Sequence, residues 1–132
     1  MEGAITSGKE EAMKVVYVCS PYRGTKEEVR EHVALARRIS RKAALEGHAV
    51  ICPHLFYPQF LADEGDERET GMAAGLKLLE LADEVWVADG KISAGMSREI
   101  AHAGELGIPT KCVCDPQAAE EHLMNAVLSG KE

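Results

Sequence analysis

No stretch of this chain approaches the roughly 18 consecutive apolar residues that a bilayer-spanning helix needs, and residues 1–12 lack the apolar middle region of a secretory signal. Neither a membrane span nor export is expected, which leaves the cytoplasm as the expected compartment. Basic residues are also in the minority: 15 Lys and Arg stand against 22 Asp and Glu, giving a formal charge of −7 at pH 7. Nucleic-acid polymers and anionic membranes both require a concentrated basic surface, so neither is an expected partner, and any anionic ligand must be caught locally. There are only four cysteines and no Cys-x-x-Cys pair; Cys19, Cys52, Cys112 and Cys114 lie in or beside apolar, strand-like runs. Buried free thiols are the expectation, since a Cys-x-Cys on one strand fits zinc poorly without paired ligands nearby. Neither a metal nor a cofactor is expected. Internal repeats and low-complexity segments are absent as well.

What is present is ordinary for one globular domain: 132 residues, 45% hydrophobic and 28% charged. Residues 1–12 are polar without sustained period and read as a flexible tail ahead of a single domain over residues 13–132. Residues 14–19 form a β-branched and aromatic run without strict alternation, suited to a central strand covered on both faces. Thr25 followed by Glu28 makes a capping-box pattern, and Val29, Val33, Ala36, Ile39 and Ala43 then recur at helical spacing until Gly47. Residues 48–52 read as a second strand, ended by Pro53 and Pro58 in a loop. A helix over 69–82, a strand over 83–88, a helix carrying Met96, Ile100 and Ala103 that ends near Gly107 and Pro109, a strand over 111–114 and a closing helix over 117–128 complete the pattern. Alternation of this kind predicts an α/β fold, a three-layer sandwich around a four- or five-stranded parallel sheet of Rossmann or flavodoxin-like type.

In such sheets ligands bind beyond the carboxyl ends of the strands, so the loops at 20–24, 53–55 and 89–95 should converge on one crevice. The turns at Gly24–Thr25 and Ser93–Gly95 both open helices, where free N–H groups and a positive dipole end favour anions. Arg23 adds a fork of donors, Ser93 a hydroxyl, and Gly95 close access to the backbone. The plain alternative is that Ser93 caps its helix, Gly24 makes a turn and Arg23 is solvated. Glu99, one turn into its helix and spaced with Met96 and Ala103, should face partly toward the sheet, either as a chemical group or in a salt bridge. His54 is a crevice histidine or a hydrogen-bonded loop residue; Tyr22 and Tyr57 stack on a planar base or complete the loop packing. Trp86 reads as core or subunit interface, Asp89 as a hydroxyl binder or turn cap, and residues 63–69 as a solvated acidic loop.

Taken together, Val-Cys-Ser-Pro-Tyr-Arg-Gly after the first strand, Pro-His after the second, and Ala-Asp-Glu-Val-Trp-Val leading to Ile-Ser-Ala-Gly-Met-Ser-Arg-Glu-Ile-Ala-His-Ala carry a resemblance. Over roughly residues 13–115 the chain resembles the nucleoside 2-deoxyribosyltransferase superfamily, and within it the small phage and bacterial proteins grouped as a domain of unknown function. The resemblance implies that Glu99 is the nucleophile that attacks the anomeric carbon of a nucleoside and forms a glycosyl ester, which is resolved by another base or, in the related deoxynucleoside 5′-monophosphate N-glycosidases, by water. It also implies that Ser20, Arg23, Gly24, Ser93 and Gly95 hold the nucleotide, with Tyr22 and Met96 as further candidates beside them, and that the protein is a homodimer or larger homo-oligomer. One departure stands out: those N-glycosidases carry a catalytic aspartate 24 residues before the nucleophile, and here that position is Gly75. His54 and Asp89 are the candidates to serve the leaving base in its place. The expectation is therefore an N-glycoside hydrolase or transferase acting on a small nucleoside or nucleotide. The alternative is a non-catalytic nucleotide-binding or sequestering module, with an oligomeric interaction protein lacking a ligand as the weakest reading.

Overall fold

The structure, a computed structural model, describes residues 12–117 together with 124, 125, 127 and 128. Four parallel strands, β1 (Val15–Cys19), β2 (Ala49–Ile51), β3 (Glu84–Ala88) and β4 (Thr110–Val113), form one sheet in the order β2-β1-β3-β4. The sheet therefore has four strands among the described residues, in the order of a doubly wound flavodoxin-like fold.

Side-chain alternation along the strands builds two separate cores. Tyr17 and Cys19 of β1 share one face with Val85 and Val87 of β3. There they pack with Leu79, Met96 and Ala103 from two helices, α3 (Gly65–Leu79) and α4 (Ala94–Leu106). Val16 and Val18 share the other face with Trp86 and Ala88, against Ile39 and Ala43 of α1 (Lys26–Leu45). The central strands are thus buried on both sides, as their lack of polar alternation requires. Trp86 is core, its indole N–H donating to Glu84 Oε1 at 2.7 Å.

Local signals set the helix ends. Thr25 Oγ1 accepts from the Glu28 N–H at 3.1 Å while Glu28 Oε1 accepts from the Thr25 N–H at 2.8 Å, closing the capping box of α1. Gly107 ends α4 in the left-handed region at φ 73°.

Three expectations need correction. The acidic run is not a solvated loop: α3 begins at Gly65, and Asp66 and Glu67 lie in its first turn, where the helix dipole favours them. The segment after β2 is a short helix, α2 (Pro53–Phe56), followed by a 3-10 turn at Tyr57–Gln59, because each proline serves as a helix-opening residue rather than as a breaker. The cysteines are not all buried: Cys19 is, Cys52 is partly so, and Cys112 and Cys114 are exposed, since β4 is an edge strand among the described residues. The predicted tail and much of the predicted closing helix lie outside the described residues.

Candidate functional site

Strand order reverses beside β1: the chain steps from β1 outward to β2, then returns past β1 to β3. That switch point opens a cavity of about 230 Å³ whose walls come from the segments after β1, β2 and β3 and from α3. It gathers Tyr22, Arg23, His54, Ser93, Gly95 and Glu99 from the sequence-predicted set.

Glu99 occupies the second turn of α4 on the face that packs against the sheet, and it is only 8% exposed. Tyr17 of β1 donates its hydroxyl proton to Glu99 Oε2 at 2.5 Å, while Oε1 is buried without a hydrogen-bond partner. Its partner is thus a phenol, not an arginine. Burial pushes the Glu99 carboxyl above its usual range, opposed by the Tyr17 hydroxyl and, more weakly, the nearby Cys19 thiol. The Cys19 thiol itself hydrogen-bonds the Met96 carbonyl at 3.8 Å, and burial followed by the charge of Glu99 pushes it up. Burial and then Glu99 likewise hold Tyr17 firmly protonated, so its hydroxyl proton is available to the carboxylate.

His54 also lines the cavity, its ring 5.2 Å from that of Tyr22 and tilted by 39°. Burial pulls its pKa down to about 4, so the imidazole is neutral near pH 7. Burial raises the Tyr22 phenol, with the Asp63 carboxylate adding to it.

At the cavity rim, Arg23 is not a free side chain. Its Nε donates to Asp63 Oδ2 at 3.0 Å and its Nη2 to the Asp63 carbonyl at 3.3 Å, while Arg68 of α3 donates from Nη1 to Asp63 Oδ1 at 2.8 Å. Ser93 caps α4, its Oγ accepting from the Met96 N–H at 3.1 Å, a bond that leaves its own proton unused. A Cβ built on Gly95 would meet only Met72 Cε at 3.9 Å and Ser93 Oγ at 4.0 Å, so protein packing does not demand glycine there.

Four sequence-predicted residues lie off the cavity wall. Asp89 is exposed beside β4, accepting a hydrogen bond from the Cys112 thiol at 3.5 Å. Ser20 is fully buried, its Oγ without a partner. Met96 packs in the core under α4. Gly24 belongs to the start of α1: a Cβ there would lie 2.7 Å from Glu28 Cβ, so the capping box itself excludes a side chain. Conversely, sequence reasoning missed Tyr17, Asp63 and Arg68. Tyr17 looked like any strand aromatic; its spacing from Cys19 puts both on one sheet face, which was the available signal. Arg68 was hidden by the reading of its segment as a loop.

Gly75 lies on the same wall. A Cβ there would sit 3.3 Å from the Tyr17 hydroxyl oxygen and 3.6 Å from Pro53 Cγ. Among the described residues no group of three or more His, Cys, Asp or Glu is placed to hold a metal, and no helix is long and apolar enough to cross a membrane.

The four-stranded parallel sheet flanked by helices is a fold shared with a 2-deoxyribosyltransferase. The solved structure of a 2-deoxyribosyltransferase from the psychrotolerant bacterium Bacillus psychrosaccharolyticus, described as a biocatalyst for nucleoside synthesis, superimposes with a TM-score of 0.52 at 22% identity, over 76% of this chain and 72% of that one. At that identity the likeness is one of fold. The chain belongs to the family described as Domain of unknown function (DUF7768), whose model matches residues 14–113. Among curated proteins none matches the sequence.

Proposed function

We propose that this domain cleaves or exchanges the N-glycosidic bond of a nucleoside or nucleotide, with Glu99 as nucleophile. The observation that supports this reading most is the Glu99 carboxyl itself: buried on a cavity wall, held through Oε2 by Tyr17, and carrying an Oε1 that no protein donor satisfies. Burying a carboxyl costs free energy unless its oxygens are paired, and a fold keeps such a group most readily where a ligand uses it.

In the proposed step, Oε1 attacks the anomeric carbon, the carbon–nitrogen bond breaks with its electron pair leaving on the base, and a glycosyl ester forms. Water or a second base then displaces Glu99. The departing base takes its proton from solvent or through the neutral His54 imidazole. Tyr17 orients the carboxylate, and Tyr22 flanks the base. Asp89, away from the cavity, has no part in this scheme.

The test is base release from a panel of ribo- and deoxyribonucleosides and their 5′-monophosphates, followed by chromatography, beside Glu99→Gln. Release that vanishes in Glu99→Gln supports the reading; equal release by both proteins removes Glu99 as nucleophile. A second reading, a binding module without turnover, draws on Gly75, which puts no acid where the resemblance calls for one. Tight binding of ligand that is recovered intact would favour it.

A further inference from the structure

The Asp63 carboxylate sits between two cations from different elements: Arg23, on the segment after β1, and Arg68, on α3. A surface carboxylate needs no second guanidinium to be satisfied, and each arginine commits only one N–H to its oxygens. All three residues line the cavity that Glu99 also lines. We propose that Asp63 is an internal stand-in for an anionic group of the ligand. Arg23 and Arg68 then form a two-arginine site for a phosphate monoester, which the ligand enters by displacing the Asp63 carboxylate.

The exchange is favoured by charge and cheap in contacts. The Arg23, Arg68 and Asp63 side chains are 59%, 23% and 35% exposed, and pairs in such surroundings contribute little net stability. A phosphate monoester brings a charge of about −1.5 to −2 and three acceptor oxygens to the same two guanidiniums. An uncharged nucleoside brings nothing that competes with Asp63. Asp63 would thus screen ligands by charge: the phosphorylated form opens the pair and the unphosphorylated form does not. The segment that must give way is short and locally tied, with the Ala62 N–H donating to Glu67 Oε1 at 2.8 Å, so displacement of the Asp63 side chain leaves its neighbours anchored. The Ser93 hydroxyl lines the same cavity and is open to a remaining phosphate oxygen.

The inference rests on the proposed function only in assigning the phosphate to the substrate. The experiment is calorimetric titration of wild type, Asp63→Asn, Asp63→Ala and Arg68→Gln with inorganic phosphate, a nucleoside and its 5′-monophosphate, each variant checked by thermal unfolding. Removing two competing pairs predicts phosphate binding about 5- to 10-fold tighter in both folded Asp63 variants, and at least about 10-fold weaker in Arg68→Gln. A purely structural Asp63 gives the opposite sign, because a loosened loop binds worse; unchanged or weaker binding in the folded Asp63 variants, or unchanged binding in Arg68→Gln, overturns the proposal. Tighter binding of the 5′-monophosphate than of either inorganic phosphate or nucleoside supports its assignment to the substrate; monophosphate binding no better than inorganic phosphate overturns that assignment. Failure of Glu99-dependent base release sinks the glycosidase reading alone, because the phosphate titration requires no turnover.

Discussion

Tyr17 and Glu99, 82 positions apart in sequence, meet across 2.5 Å because β1 and α4 share one face of the sheet. The phenol donates to one carboxylate oxygen and leaves the other unpaired. Burial raises the carboxyl pKa, and the Tyr17 hydrogen bond holds part of that rise back.

Tyr17→Phe removes that restraint. The Glu99 pKa then rises further, so the acid limb of a pH–rate profile for base release moves to higher pH, with the loss of rate greatest at low pH. Stability falls by about 1.5–3 kcal/mol, as expected for one hydrogen bond to a charged group. An acid limb that stays in place would show that Tyr17 does not tune Glu99.

Glu99→Gln should melt higher than wild type. The folded state binds a proton at Glu99 more tightly than the unfolded chain does, so this residue weakens folding as pH rises through the carboxylate range. A neutral amide removes that cost and still accepts from Tyr17. A gain of about 1–2 kcal/mol, or several degrees in Tm, is expected near pH 7, shrinking as the pH is lowered. Calorimetric melts of both proteins at pH 5 and pH 8 test the sign.

His54 makes folding acid-sensitive. Its folded pKa of about 4 lies below the ordinary value of 6.5, so over that interval the unfolded chain holds more protons than the folded one. Its contribution is complete above about pH 6.5 and fades as the pH falls toward 4, by at most about 3 kcal/mol. Urea unfolding from pH 7 to pH 4 should show a smaller loss in His54→Gln than in wild type.

Gly95→Ala separates ligand from fold. The added methyl makes only ordinary protein contacts, so stability should stay within about 0.5 kcal/mol of wild type. If a ligand approaches the backbone there, its affinity falls by about 10-fold or more in calorimetry; unchanged affinity would place the ligand elsewhere in the cavity.

Much of the scaffold was readable because its causes are local. Thr25 and Glu28 mark the start of α1 by their spacing, Gly107 marks the end of α4 because it lacks a Cβ and tolerates a left-handed φ, and the unalternating run before Ser20 marks a strand covered on both sides. The crevice followed from topology alone, which is why Glu99, Arg23, His54 and Ser93 could be placed together before any contact was known. Partnerships were not readable. Nothing near Asp63 in sequence announces Arg23, 40 positions away, and nothing near Tyr17 announces Glu99. Asp89 shows the same limit from the other side: the end of β3 points toward the crevice, but the side chain turns to Cys112 on the neighbouring strand.

The helix position that carries glycine at 75 has a further consequence. Its empty space borders the Tyr17 hydroxyl, which is already committed to Glu99. An aspartate there and a tyrosine bonded to Glu99 are rival tenants of one volume, so Gly75→Asp should displace the phenol from the carboxyl. Swapping position 75 without position 17 would therefore test crowding rather than catalysis. The two sites can be expected to change only as a pair.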